Sequence, residues 1–215
     1  MDKIKAVIFD LDGTLAGTLP LCIQAFRQAL EPLINHSISD AEIIATFGPS
    51  EEGTIMALAP DQYDKGVTDY LDYYENLHEM VQAPFDGMKE ILQTLRSKGI
   101  RIAMVTGKGK RSTDISLNHF ELTHFFEIIE TGSPKGARKA EGIQLVLDRF
   151  SDIRKDEIIY VGDAPGDIIA SRKSGIPVVA AAWADTAEPE RLKELQPNEL
   201  FYTIKDFSDW LFEKT

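Results

Sequence analysis

The sequence predicts an α/β protein: a doubly wound parallel sheet with helices on both faces, into which a small all-helical module is inserted. Three observations predict it. Short, continuously apolar, β-prone runs alternate with amphipathic helical runs over most of the chain. Strands buried on both faces and separated by helices belong to parallel sheets. The stretch 19–84 interrupts the alternation with helical spacing alone. Finally, 215 residues with 43% hydrophobic and 27% charged side chains suffice for one large domain with a smaller companion, without disulfide staples.

The first expected strand is Ala6–Phe9. After it, Leu19, Ile23, Phe26, Leu30 and Leu33 form one stripe, and Tyr63, Val67, Tyr70, Tyr74, Leu77 and Val81 another. That spacing places apolar side chains on one face of a helix. Pro20 on entry, and Pro84 with Gly87 on exit, are breakers suited to linkers. The expected division is therefore a helical module over 19–84 and a host over 1–18 with 85–215, the module able to move against the sheet. In the host follow a helix over Met88–Lys98, strand Arg101–Val105, helix Ser112–Phe120 and strand Glu127–Ile129. Helix Ala140–Phe150, strand Ile158–Val161, helix Gly166–Ser174 and strand Val178–Ala181 complete it as right-handed βαβ units.

Charge and composition narrow the function. Lys plus Arg number 23 and Asp plus Glu 35, a net charge of −12, so the chain repels a phosphate backbone and nucleic acid is not an expected partner. Cys22 is the only cysteine and cannot form an intramolecular disulfide, which points to a reducing cytoplasm. The charged stretch 1–5 precedes only four apolar residues, too few for a signal-peptide core. The longest apolar run, Ile176–Ala184, contains Pro177 and is far short of the roughly 20 residues of a membrane span. A soluble protein with no membrane partner is expected, its oligomeric state left open.

The chemistry sits at strand ends. Ala6–Phe9 runs into Asp10-Leu11-Asp12-Gly13-Thr14, and ligands of open α/β sheets bind outside the carboxyl ends of the strands. In extended backbone, residues i and i+2 point to the same side, so Asp10 and Asp12 share a pocket. Two carboxylates so close are costly without a bridging cation, and hard oxygen ligands on a tight loop suit Mg²⁺. Ile158–Val161 runs likewise into Gly162-Asp163-Ala164-Pro165-Gly166-Asp167. Two acidic strand ends predict one metal site, although Asp167 also reads as a cap for the helix that follows.

In these residues the chain resembles the haloacid dehalogenase-like hydrolase superfamily, in the branch of the phosphoglycolate phosphatases. Asp10-Leu-Asp-Gly-Thr14 matches its first motif, Val105-Thr106-Gly107-Lys108 its second, Lys139 its third, and Gly162-Asp163 with Asp167 its fourth. The likeness runs from Phe9 to about Trp183, and the helical module stands where the family carries a mobile cap over a Rossmann-like core.

The resemblance implies covalent phosphoryl transfer by a Mg²⁺-dependent phosphatase acting on a small metabolite, phosphoglycolate first among candidates. Asp10 would be the nucleophile and a metal ligand. Asp12 would be general acid and then base, its backbone carbonyl also a metal ligand. Asp163 would complete the protein's metal ligands, with Asp167 orienting them. Thr106 and the Gly107 amide would bond the phosphoryl oxygens, and Lys139 would neutralise them. A phosphate dianion beside ionised Asp10 and Asp163 gathers four negative charges, each close like-charge contact worth about 4 kcal/mol at an effective dielectric near 20. Mg²⁺ and Lys139 return three.

Two departures from the family stand out. The lysine-proline-x-proline pattern after the third-motif lysine is absent, Ala140 and Gly142 standing there, and Lys135 is the reserve for Lys139. Gly17 replaces a frequent acidic residue, which bears on the hinge of the cap.

Other features read plainly. His36, His78, His119 and His124 lack zinc spacing. The tyrosine stripe reads as core. Lys108-Gly109-Lys110-Arg111 either attracts an anionic substrate or starts a helix in solvent. Trp183 follows a strand end and is a candidate pocket wall. The alternatives are a phosphosugar mutase of the β-phosphoglucomutase kind, a pyrophosphatase of the same superfamily and, outside enzymes, a phospho-switch or binding protein. A dehalogenase fits less well, because displacing a halide needs no acid such as Asp12.

Overall fold

The computed structural model describes residues 3–215; the first two residues of the charged 1–5 stretch, and so of the expected 1–18 portion, lie outside the described residues. In chain order the described residues form β1 (Ala6–Phe9), α1 (Leu19–Ile34), α2 (Asp40–Ile44), α3 (Glu51–Leu58), α4 (Tyr63–Asn76) and α5 (Met88–Ser97). Next come β2 (Arg101–Val105), α6 (Lys110–His119), β3 (Ile128–Glu130), α7 (Lys139–Arg149) and β4 (Ile158–Gly162). The chain ends with α8 (Pro165–Ser174), β5 (Val178–Ala181), α9 (Pro189–Glu194), β6 (Glu199–Phe201) and α10 (Ile204–Glu213).

The strands form one sheet in the order β3-β2-β1-β4-β5-β6, and every pairing is parallel. From β1 the chain steps outward through β2 to β3, then returns to β4 on β1's other side and steps out the opposite way. The reversal falls between β1 and β4, which opens a crevice at their carboxyl ends. Phe9 pairs with Val161, and the Asp10 amide donates to the Val161 carbonyl at 2.9 Å, so the two acidic loops leave the sheet side by side.

Alternation along each strand feeds two cores. Val7, Phe9, Ile102, Met104, Ile159 and Val161 face one side, where Ile91, Leu92 and Leu95 of α5 and Phe207 and Leu211 of α10 cover them. Ile8, Ala103, Val105, Ile158 and Tyr160 face the other, under Ile143 and Val146 of α7 and Ile168 of α8. Burial on both faces is why these strands are apolar throughout.

Residues 21–74 supply a third cluster in which Phe26 and Leu30 of α1 meet Ile43, Ile55, Tyr70 and Tyr74. The Phe26 and Tyr70 rings lie 4.3 Å apart between centroids, so the tyrosine stripe is core. Its two connections to the sheet run together: the Phe85 amide donates to the Leu15 carbonyl at 2.9 Å. A Cβ on Gly17 would stand 3.3 Å from the Phe85 ring, tighter than most side chains tolerate. The glycine that departs from the family pattern thus makes room for the returning linker. Among the described residues no helix is long and apolar enough to cross a membrane.

Several elements differ from expectation. β3 spans Ile128–Glu130 instead of Glu127–Ile129, because the Glu130 carbonyl still accepts from the Thr106 amide at 3.0 Å and extends the ladder. β6 was hidden by its length, three residues with a glutamate first. The short helices α2 and α3, five and eight residues long, fall below the window over which an apolar stripe becomes visible.

Candidate active site

The site is assembled from four chain segments at the carboxyl ends of the central strands. Asp10 follows β1 directly and is buried; its Oδ1 accepts from the Leu11 amide at 2.7 Å and its Oδ2 from Lys139 Nζ at 2.5 Å. Desolvation pushes its carboxyl up to about 6; the anions of Asp167 and Asp12 add to this and Lys139 opposes it.

Asp163 follows β4 and accepts from the Thr14 hydroxyl at 3.1 Å. Burial, then the neighbouring Asp10 and Asp167, hold its carboxyl well above the usual range. Gly13 makes this approach possible: its φ is +75°, and a Cβ there would lie 2.1 Å from Asp163 Oδ2. Only glycine accepts both the left-handed backbone and the contact.

Asp167, on the first turn of α8, is fully buried. Its Oδ1 accepts from Lys139 Nζ at 2.5 Å and from the Tyr160 hydroxyl at 3.0 Å, and its Oδ2 from the Ala164 amide at 2.9 Å. Lys139 thus bridges Asp10 and Asp167. Burial works against its charge, but the two carboxylates outweigh that and hold the ammonium above its usual range. Lys135 is exposed, and its amide donates locally to the Ser133 hydroxyl at 3.2 Å.

Carboxylate oxygens of Asp10, Asp163 and Asp167 all lie within 4.8 Å of one another. Three carboxylates gathered this closely repel one another and form a donor set suited to a hard divalent cation. The Asp12 side chain lies apart from them. Its Oδ1 accepts from the buried Thr18 hydroxyl at 2.5 Å and stands 3.4 Å from Lys108 Nζ.

The segment after β2 supplies Thr106, Gly107 and Lys108. Thr106 is buried, its hydroxyl accepting from the Lys108 amide at 3.2 Å. A Cβ on Gly107 would meet Lys139 Cε at 3.6 Å, which places this loop against the lysine. The basic loop divides: Lys110 and Arg111 are exposed at the start of α6, whereas Lys108 turns inward and is buried. Its Nζ lies 3.1 Å from Cys22 Sγ and 4.1 Å from the Tyr74 ring centroid. Burial opposes the charge of Lys108, but its neighbours, Asp12 foremost, together outweigh that and hold the ammonium above its usual range. Burial likewise pushes the Cys22 thiol up to about 12 despite Lys108, so it is a neutral neighbour at pH 7.

The helical segment closes over this loop. Glu51, at the start of α3 and buried, accepts from the Gly109 amide at 2.6 Å and from the Ser112 hydroxyl at 2.5 Å. The Ser50 amide donates to the Ser133 carbonyl at 2.9 Å. On α6, Ser116 Oγ lies 2.7 Å from the Tyr74 hydroxyl and 2.9 Å from His78 Nε2. The Trp183 indole donates to the Thr14 carbonyl at 3.0 Å and packs on Phe207.

Sequence reasoning brought Asp10, Asp12, Thr106, Gly107, Lys139, Asp163 and Asp167 to this end of the sheet, and the fold gathers them there. It missed Glu51, which reads as an ordinary acidic helix start, and left the burial of Lys108 undecided. The partners of both are distant in sequence.

Residues 7–181 match the family described as haloacid dehalogenase-like hydrolase. Pyrophosphatase PpaX of Bacillus pumilus is 30% identical over 210 residues, 97% of this chain and 95% of its own. A haloacid dehalogenase-like family hydrolase of Streptococcus pneumoniae superposes with a TM-score of 0.77 at 26% identity, over 96% of this chain and 98% of its own. A predicted phosphoglycolate phosphatase of Haemophilus somnus gives 0.80 at 23% identity over 100% of both chains, a likeness of fold.

Proposed function

We propose that this chain, which belongs to the haloacid dehalogenase-like hydrolase family and is a phosphatase, hydrolyses a small phosphorylated metabolite with Mg²⁺ by way of an aspartyl-phosphate on Asp10. One observation carries the reading: Asp10 stands buried at the topological switch point, between the Asp163 carboxylate and the Lys139 ammonium.

The carboxylates of Asp10 and Asp163 and the backbone carbonyl of Asp12 would hold the cation. Asp167 has both oxygens engaged by Lys139, Tyr160 and Ala164, which suits it to orienting the lysine and its neighbours. Bound Mg²⁺ would supply positive charge against the phosphoryl oxygens. Thr106, the Gly107 amide and Lys139 would bind those oxygens and set phosphorus in line with Asp10.

An Asp10 oxygen then attacks phosphorus; the new O–P bond forms as the bond to the leaving oxygen breaks, and Asp12 gives that oxygen a proton. In the second half Asp12 takes a proton from water, the water oxygen attacks phosphorus, and the Asp10–phosphorus bond breaks to release phosphate. The Thr18 hydroxyl fixes the Asp12 carboxylate for both transfers. Helices α1–α4 act as the cap, excluding bulk water and macromolecules, which favours small substrates. Phosphoglycolate fits that class, and so does pyrophosphate, the substrate in the name of the Bacillus pumilus relative.

A panel of phosphoglycolate, pyrophosphate, sugar phosphates and nucleotides, assayed for phosphate release with Mg²⁺, tests the proposal. Continuous release over many equivalents, abolished by Asp10→Asn, is expected. Undiminished release by that variant would remove Asp10 from the nucleophile's place.

A further inference from the structure

We propose that Lys108 reads the charge of the leaving group: the site favours substrates whose departing half carries an anion, a carboxylate or a second phosphate, near the scissile oxygen. This rests on the phosphatase reading for one point, that the leaving group departs beside Asp12.

The two lysines of the site differ in how they are paired. Lys139 has two carboxylate oxygens at 2.5 Å. Lys108 is more deeply enclosed, its side chain 3% exposed, yet its carboxylate partner in the fold is Asp12 at 3.4 Å. That same Asp12 oxygen also takes the Thr18 hydroxyl at 2.5 Å. Beside the ammonium also lie the Cys22 sulfur at 3.1 Å and the Tyr74 ring face, 4.1 Å from its centroid.

Burying an ammonium is unfavourable unless an anion meets it at close range. Lys139 meets that condition twice; Lys108 has one long, shared contact, a thiol and an aromatic face. The fold therefore holds an incompletely neutralised cation next to the residue that faces the leaving oxygen. An anion on the departing half completes its pairing, and an uncharged alkyl or hydroxyl group does not. Neighbouring cations do not duplicate the effect: Lys110 is exposed and pairs with Asp114 at 2.7 Å, and Arg111 is exposed.

The test compares 2-phosphoglycolate with 2-hydroxyethyl phosphate, which match in length and differ in carrying a carboxylate or a hydroxymethyl group beyond the scissile oxygen. The wild type should favour the carboxylate by about tenfold or more in kcat/KM, the value of one charge-assisted contact. Lys108→Met should bring the ratio near one, chiefly by losing phosphoglycolate, while Lys108→Arg keeps part of the preference. Pyrophosphate should follow phosphoglycolate in both variants. A wild type without preference, or equal losses on both esters in Lys108→Met, overturns the proposal. If the methionine variant does not fold, calorimetric binding of the two esters to Asp10→Asn decides: tighter phosphoglycolate binding supports it and equal affinities reject it. Absence of phosphate release from every ester by the wild type would instead sink the phosphatase reading, and the binding comparison, made with Asp10→Asn and with Asp10→Asn carrying Lys108→Arg, would still judge Lys108.

Discussion

The ammonium of Lys139 lies 2.5 Å from Asp10 Oδ2, so the lysine that would bind phosphate is, before substrate arrives, the counter-ion of the nucleophile. Asp167 accepts from the same ammonium at 2.5 Å and would keep it in place if a phosphoryl group took over the contact.

Lys139→Ala should therefore lower kcat/KM by about a hundredfold, the scale of losing one group that stabilises the transition state. Lys135→Ala, at an exposed position, should stay within about twofold. Steady-state kinetics on any turned-over ester ranks the two, and the reverse order would transfer the role to Lys135.

The environment of Asp10 sets a pH dependence. Its carboxyl is pushed up to about 6 in the fold from 3.8, so between those values the folded chain binds more protons than the unfolded one. Stability from this group is present below that window, falls as pH rises through it and stays lost above. With metal chelated, Asp10→Asn should melt a few degrees above the wild type at pH 7, the gap closing toward pH 4. Melting curves across that range check it; a wild type that melts higher at pH 7 would contradict the burial argument.

Asp12→Ala should cost about 10²–10⁴-fold in kcat on an alkyl phosphate, the usual value of general acid–base catalysis. An aryl phosphate, whose leaving group needs no proton, should lose less in the first step, so phosphoenzyme should accumulate. Rapid-quench trapping that finds no phosphoenzyme would place the acid elsewhere.

Glu51→Ala leaves the Gly109 amide and the Ser112 hydroxyl without their acceptor. A loss of about 1–3 kcal/mol is expected for such buried groups. Amide exchange at 109–112 should quicken and KM should rise, because the loop carrying Thr106 and Gly107 loses its support. Unchanged exchange at Gly109 would show that the clamp contributes nothing.

What the sequence revealed, and what it hid, follows from range. Asp10 and Asp163 were legible because each ends a continuously apolar run, and the parallel sheet forces those ends together. Lys139 was separable from Lys135 through its place at the start of a helical pattern. Lys108 was not legible: its burial depends on Cys22 and Tyr74, which reach it only after α1 and α4 have folded over the loop. Glu51 was missed for the same reason, since a glutamate at a helix start is ordinary until a distant amide is found against it. β6 escaped because three residues at a sheet edge carry too little pattern.

The meeting of the Phe85 amide with the Leu15 carbonyl gives the chain a further property. Residues 16–84 depart from the sheet and rejoin it at a single point, so the part of that excursion beyond Thr18 can lengthen, shorten or be exchanged without pulling on the strands that carry Asp10 and Asp163. Selectivity and bond-breaking can drift apart over evolutionary time, the one rewritten while the other is left untouched.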